Sequence, residues 1–334
     1  MSGVLGWDVG GVNTKAAHVV DARLLAARVV PYEIQRDPAA LAPLLTRLAT
    51  DLDGGPGDVH AVTMTAELSQ LFRTKREGVG FVLDAVEAAF PASRVRVWGV
   101  DARWRTPDEA RSDPLAVAAA NWAATARVVG RFVADCLLID VGSTTTDVIP
   151  IVGGAPATAS RTDLDRLREG ELVYTGALRT PIEAITAMVP VRGRAVAVSA
   201  EGFAIAGDVH LWRGELAPAD YSVPTPDGRP ATKDFAGERL ARVVCADREM
   251  LEEDDLGHIA DAVWEAQVAR ICVAVDRQRA RHPTLREVVV TGLGDFLAAA
   301  AARRSGLHVV HLADAFGPAA RHAPAAAVAL LLPS

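Results

Sequence analysis

Leu5, Trp7 and Val9 alternate with Gly6 and Asp8, and the pattern stops at Gly10-Gly11. A period of two ending in glycine predicts a half-buried strand and a tight turn. Two more short apolar runs, 16–20 and 24–32, flank an Asp-Ala-Arg turn, so the chain opens as a three-stranded meander. Apolar positions then recur at helical spacing over 38–52. Residues 60–64 read as a strand, 79–90 as a helix, 94–100 as a strand and the alanine-rich stretch 114–132 as one long helix.

The opening design then returns. Residues 136–142 form an apolar strand ending in glycine, and 143–152 turn and run back. The segments Trp7-Asp-Val-Gly-Gly-Val-Asn-Thr-Lys15 and Ile139-Asp-Val-Gly-Ser-Thr-Thr-Thr-Asp147 share Asp-Val-Gly literally, a short internal repeat. Beyond it we read a helix at 181–189, a strand at 194–199, a polar loop at 215–232 and helices near 234–251 and 256–281. A third strand-to-glycine turn at 286–295, a helix at 296–304, a strand at 308–314 and a final helix at 319–332 complete the chain. Strands alternating with helices predict an α/β fold. The repeat predicts an N-terminal lobe over 1–132 and a C-terminal lobe over 133–334, with helix 319–332 free to pack back on the first.

Composition narrows the function classes. A net charge of −7 over 334 residues argues against a nucleic-acid partner, which requires a basic face. No apolar run reaches the length of a membrane span, and no signal peptide is visible. Cys136, Cys245 and Cys272 are widely spaced and odd in number, which fits a reducing cytoplasm. The partners expected are small-molecule substrates, and a homo-oligomer is left open. Lys15, Lys75 and Lys233 are the only lysines in a chain that otherwise uses arginine for positive charge. An ammonium is a compact point charge suited to phosphates, whereas a guanidinium is a planar fork.

A glycine turn after a buried strand exposes successive backbone N–H groups, which with Ser or Thr hydroxyls can cradle phosphate oxygens. An aspartate at the strand end can hold Mg²⁺. The first motif supplies Asp8, Gly10, Gly11, Asn13, Thr14 and Lys15; the second supplies Asp140, Gly142, Ser143, Thr144, Thr145 and Asp147. Asp8, Asp140 and Asp147 are the candidate metal carboxylates. The Walker GxxxxGK[ST] pattern is absent, and Gly292 and Gly294 form a lone GxG that could line a nucleotide or substrate. His308 and His311 fall on opposite faces of a strand, which argues against a zinc site.

This paired arrangement resembles the superfamily of sugar kinases, acetate kinase, heat-shock chaperones and actin, which implies a two-lobed α/β (ASKHA) fold with an interlobe cleft. The strings VTMTAEL (62–68), TKREGV (74–79), AAANW (118–122), DVGSTTTDVIPI (140–151) and GELVYTGALRTPIEAI (170–185) are more specific. They are similar to a branch of the hydantoinase/oxoprolinase-type proteins associated with tetrahydromethanopterin-linked one-carbon metabolism, whose archaeal members are methanofuran-biosynthesis synthases. The resemblance implies an alkyl transferase that joins an aminomethyl-furanylmethyl diphosphate to a phenol, with Mg²⁺ and without ATP. It implies Lys15 and Lys75 for diphosphate charge, Glu67 as general base or as holder of the aminomethyl cation, Arg179 for a carboxylate or phosphate, and Tyr174 and Thr175 as pocket lining. Against hydantoinases the chain is short and carries no companion catalytic subunit in the same polypeptide. The same turns would also serve an ATP-using kinase or oxoprolinase-type hydrolase, or a nucleotide-dependent binding module.

Overall fold

The computed structural model describes residues 3–333. The chain divides into two compact units and crosses between them at 136–137, 148–149, 169–170 and 311–312. One unit holds the residues up to Cys136, then Ile149–Glu169 and the segment from Leu312 onward; the other holds Leu137–Val148 and Gly170–His311. The division thus differs from a single cut near 132.

In the first unit, β1 (Val4–Val9), β2 (Asn13–Val20), β3 (Arg23–Pro31), β4 (Val59–Met64), β5 (Val95–Trp98) and β6 (Trp104–Arg105) form a sheet of order β3-β2-β1-β4-β5-β6. β1, β4 and β5 are parallel; β2, β3 and β6 pair antiparallel to their neighbours. Helices α1 (Leu41–Asp51) and α2 (Lys75–Ala89) make the crossovers. Leu5, Trp7 and Val9 bury one face of the sheet with Val62, Met64, Val95 and Val97 against Leu41, Leu45, Val82 and Leu83. Short helices α3 (Pro107–Ser112) and α4 (Pro114–Val117) precede α5 (Asn121–Val129). α5 covers the opposite face through Ala124 and Val128, with Ala120 just before it, together with Ala327 and Val328 of the final helix (Ala323–Leu331).

The chain continues through β7 (Cys136–Val141), β8 (Thr146–Val152), β9 (Ala155–Pro156) and α6 (Asp163–Glu169). The second unit adds β10 (Leu172–Val173), α7 (Ile182–Ile185), a hairpin of β11 (Met188–Val191) and β12 (Arg194–Ala197), and helices α8 (Ala206–Arg213), α9 (Lys233–Arg242) and α10 (Glu253–Arg281). Then follow β13 (Glu287–Thr291), α11 (Asp295–Arg304) and β14 (His308–His311). Its sheet has order β10-β8-β7-β13-β14, with β7, β13 and β14 parallel. Each sheet therefore starts from a hairpin and extends from the hairpin's first strand by two parallel strands. Leu137, Ile139 and Val141 pack with Val288 and Val290 against Val268, Ile271 and Val275 of α10 and Leu297 and Ala301 of α11.

Five expectations need correction. The helix expected over 114–132 is broken: Ala118 bridges to Met64, and Ala119 takes φ 49° before α5 begins at Asn121. An alanine run has no breaker residue, and the interruption falls where Ala118 pairs with the end of β4. The helix expected over 181–189 ends at Ile185, because Arg192 and Gly193 both take positive φ and turn 188–197 into a hairpin. α2 starts at Lys75 rather than 79, since the Thr74 hydroxyl accepts from the Glu77 N–H at 3.2 Å and caps a first turn that carries no apolar periodicity. The helix near 234–251 also stops at Arg242, and the last strand at His311.

The final helix lies against β1 where Gly6 has no side chain. A Cβ there would meet the Ala325 carbonyl and stand 2.9 Å from the Ala329 Cβ. Gly6→Ala should destabilise the protein by about 1–3 kcal/mol through overpacking. Gly80→Ala, in α2 with nothing within 4 Å of its Cβ, should instead stabilise by about 0.5–1 kcal/mol. Thermal unfolding of the two variants checks both signs.

Candidate functional site

The first glycine turn is closed by Gly10 N–H donating to Asn13 O at 3.0 Å. Behind it, Tyr32 N–H donates to Val12 O at 2.9 Å and Ile34 N–H to Gly11 O at 3.1 Å. The turn's carbonyls are thus engaged, whereas Gly11 and Val12 donate no backbone hydrogen bond among the described residues. An unsatisfied run of N–H groups is an anion cradle. Asp8 and Lys15 face each other across β1 and β2, with Nζ 3.3 Å from Oδ2. Thr63 lies opposite Asp8 on β4. Asp8 Oδ1, Asn13 Oδ1, Thr14 Oγ1 and Thr63 Oγ1 are all buried without a hydrogen-bond partner among the described residues. Buried polar atoms are ordinarily satisfied, so four unmet ones around one turn make it a candidate place for a polar ligand.

Beyond the end of β4, Glu67 sits in a single turn of 3-10 helix and is 1% exposed. Its Oε1 accepts from Lys75 Nζ at 3.3 Å, and Lys75 also donates to Asp163 Oδ2 at 3.2 Å. Arg166 donates to the other Asp163 oxygen at 3.3 Å, and its guanidinium lies 4.7 Å above the Trp122 ring. Burial pushes the Glu67 carboxyl up to about 7, although the Lys75 charge pulls the other way. Burial alone would lower Lys75, but the Glu67 and Asp163 carboxylates outweigh it and hold the ammonium above its ordinary range. Glu67 Oε2 has no partner among the described residues. The arrangement is a near-neutral carboxyl beside a fixed cation, the setting of a general base.

The second turn repeats the first. Gly142 N–H donates to Thr145 O at 2.9 Å. Ala177 N–H donates to Gly142 O at 2.9 Å, and Leu178 and Arg179 N–H donate to Ser143 O at 3.1 and 2.9 Å. Ser143 and Thr144 donate no backbone hydrogen bond among the described residues. Thr291 lies opposite Asp140, and Gly294 N–H donates to Val141 O at 2.9 Å, so the 292–294 glycines stand beside Asp140. Asp147 pairs with Leu172 on β10.

The first unit thus brings Asp8, Gly10, Gly11, Asn13, Thr14 and Lys15 together, and Glu67 and Lys75 with each other. The second unit gathers Asp140, Gly142, Ser143, Thr144, Thr145, Asp147, Arg179, Gly292 and Gly294. Tyr174 is 58% exposed. Thr175 does not line a pocket: it is fully buried, and its hydroxyl accepts from Gln267 Nε2 at 2.9 Å. No group of three or more His, Cys, Asp or Glu able to hold a metal occurs among the described residues. Sequence reading missed Thr63, Asp163 and Arg166. Thr63 has a faint signal, being a polar residue within an apolar strand; Asp163 is 88 residues from Lys75 and has none.

The titration of Glu67 follows from this geometry. NMR of the labelled carboxyl should give a midpoint near 7, against an ordinary 4.5. Lys75→Met should move that midpoint higher, because it removes the charge that favours the ionised form. A midpoint near 4.5 in the wild type would show Glu67 to be hydrated.

Residues 58–333 match the hydantoinase/oxoprolinase family. The chain is 39% identical over 295 residues, 87% of its length and 86% of the relative's, to the (4-{4-[2-(gamma-L-glutamylamino)ethyl]phenoxymethyl}furan-2-yl)methanamine synthase of Methanocaldococcus jannaschii. It is 38% identical over 161 residues to the protein of that name from Methanococcus vannielii, covering 48% of this chain and 72% of that one. Among solved structures, the nucleotide-free acetone carboxylase covers 98% of this chain and 70% of its own at TM-score 0.52 and 10% identity. The ethanolamine utilization protein EutJ of Carboxydothermus hydrogenoformans covers 98% and 89% at TM-score 0.50 and 13% identity. These likenesses speak for the fold alone, the α/β class of sugar kinases, heat-shock chaperones and actin. No helix among the described residues is long and apolar enough to cross a membrane. With five-sixths of its length matched by the family and 39% identity over 87% of the chain to one of its synthases, the chain belongs to the hydantoinase/oxoprolinase family, in the branch that holds the methanofuran-biosynthesis synthases.

Proposed function

We propose that this chain is a transferase of methanofuran-type cofactor assembly. It joins an aminomethyl-furanylmethyl diphosphate to the phenol of glutamyl-tyramine, or of a related tyrosine-derived acceptor, and releases diphosphate. The reading rests on one observation: a relative matched along 87% of the chain is named for a phenoxymethyl-furan, an aryl ether of this kind. The geometry of the first unit suits the reaction.

The bond that breaks joins the furanylmethyl carbon to diphosphate, and its electron pair leaves with the diphosphate. The furan ring stabilises the cation that develops on that carbon. The phenol oxygen supplies the new bond's electron pair, and its proton passes to Glu67. Charge gathering on the leaving group is met by the N–H groups of Gly11 and Val12 and by the Lys15 and Lys75 ammoniums, preorganised donors of the sort that lower barriers most. Ser143 and Thr144 offer a second such cradle in the second unit, with Arg179 beside it for a carboxylate or phosphate. Mg²⁺ would be held chiefly by the diphosphate with one or two carboxylates, which suits the unpartnered Asp8 Oδ1 and the absence of a three-residue cage among the described residues. When bound, the ion supplies charge neutralisation to the leaving diphosphate. Asp140 and Asp147 are its candidate ligands in the second unit. The scheme consumes no ATP.

Mass spectrometry of protein, Mg²⁺, the furanylmethyl diphosphate and glutamyl-tyramine should reveal the aryl ether and an equal amount of diphosphate without ATP. Product only on adding ATP, with ADP formed, would put the kinase or hydrolase reading first. Glu67→Gln should lower kcat by ~10²–10⁴, and Lys15→Ala should lower kcat as well as raise KM for the diphosphate, because the Lys15 ammonium meets charge that grows as the bond breaks. Because the base works ionised and Glu67 lies near 7, kcat should rise with pH through about 7 and level off above it.

A further inference from the structure

The loop after β10 touches the second turn as closely as chain can. A Cβ on Gly176 would stand 2.5 Å from the backbone nitrogen and carbonyl carbon of Thr144, so only glycine fits there. That contact presses 175–179 onto the turn, and Thr146 adds to it by donating its hydroxyl to Thr175 O at 2.7 Å. What holds the loop from its other side lies in the core. Gln267, in the middle of α10, is fully buried among apolar residues. Its Nε2 donates to Thr175 Oγ1 at 2.9 Å and to Gly176 O at 2.8 Å. A carbonyl can only accept, so the amide orientation is fixed and Oε1 faces His210 Nε2 at 3.0 Å. His210, also fully buried, reaches Glu215 Oε2 from Nδ1 at 3.1 Å. Glu215 is further held by Arg213 Nε at 3.2 Å. Burial would raise the Glu215 carboxyl, but the hydrogen bonds from His210 and Arg213 outweigh it and keep it below its ordinary range. Amide oxygen and carboxylate both accept, so each His210 ring nitrogen faces an acceptor.

A polar chain of this kind, threaded through a core, is costly unless it is complete. Ordinary packing does not require it: the neighbouring stripe positions of α10, Val263 and Ile271, are apolar. At its Gln267 end it is attached to the loop that backs the second turn. We propose that Gln267 and His210 are positioning residues for anion binding: the Glu215–His210–Gln267 relay pins Thr175 and Gly176 against Ser143 and Thr144 and so fixes the N–H groups of that turn. The inference rests on the transferase reading only for the identity of the anion.

The test is calorimetric titration with Mg²⁺ and inorganic diphosphate, and separately with the ATP analogue AMP-PNP. It uses wild type, Gln267→Leu, His210→Phe and His210→Gln, each checked for cooperative melting. Gln267→Leu and His210→Phe should weaken the anion by ~10-fold or more, the scale of one or two buried hydrogen bonds. His210→Gln, which keeps a donor toward the Gln267 oxygen, should lie within ~3-fold of wild type, the residue of a partly restored bond. In turnover, KM for the diphosphate substrate should rise with kcat and the acceptor KM unchanged, the mark of lost uniform binding. Unchanged affinity in folded Gln267→Leu overturns the inference and leaves the transferase reading intact. Binding of AMP-PNP alone, weakened in the variants, supports the relay and removes the diphosphate reading. Binding of neither anion by wild type removes both. Should Gln267→Leu fail to fold, the His210→Phe and His210→Gln pair decides on the same criterion, and equal affinities for those two overturn the proposal.

Discussion

A tight turn between two strands has more backbone groups than the hairpin can pair, and what becomes of them decides what the turn is for. In both turns here the surplus carbonyls are taken by neighbouring chain: Tyr32 and Ile34 in one case, Ala177, Leu178 and Arg179 in the other. The surplus N–H groups are left. Had the neighbouring segments offered carbonyls instead, the same glycines would have made closed, inert turns. The rest of each unit can be read as support for that choice. The parallel strands carry Thr63 and Thr291 to positions beside Asp8 and Asp140, and the crossover helices bury the opposite face so that the strand ends stay fixed.

Charge is arranged with equal economy around Glu67. A carboxyl this deeply buried would simply take up a proton and become inert if it stood alone. Lys75 prevents that, but a lone buried ammonium would suffer the same penalty, and Asp163 offsets it from the other side. Arg166, lying over the Trp122 ring, steadies Asp163 in turn. The chain of alternating signs leaves Glu67 poised near neutrality. One compact ammonium at the start of α2 reaches two carboxylates at 3.3 and 3.2 Å. A planar guanidinium prefers to bind one carboxylate with two parallel bonds. That gives a physical reason for a lysine at 75 in a chain that elsewhere chooses arginine.

Much of this was legible in the sequence where the signal is local. The alternation of Leu5, Trp7 and Val9, the glycines after it and the literal Asp-Val-Gly repeat lead directly to the two hairpins and their parallel neighbours. The strings around Glu67 and Lys75 led to those residues before their contact was visible. What escaped has no local signature. The break at Ala119 depends on Ala118 pairing with Met64 across more than fifty residues, and nothing in an alanine run announces it. Arg-Gly at 192–193 is a turn signal that the surrounding apolar run concealed. Thr175 was legible as part of a distinctive string but not as buried, because its partner Gln267 lies 92 residues away.

The duplication also sets a limit on how far one turn can stand in for the other. Aligning the repeats places Asp8 on Asp140, Gly10 on Gly142 and Asn13 on Thr145, and the closing hydrogen bonds match to 0.1 Å, at 3.0 and 2.9 Å. The next positions diverge: Thr14 carries an unpartnered buried hydroxyl where Thr146 donates to Thr175 O, and Lys15 stands where the second repeat has Asp147. In the first turn the aspartate faces a lysine across the hairpin, Lys15 Nζ standing 3.3 Å from Asp8 Oδ2. The second repeat has aspartates in both corresponding places, Asp140 and Asp147, so the side chains that flank its turn differ in kind from those of the first. The backbone of the two turns is therefore one device used twice, and the side chains around it are what make the two uses chemically different.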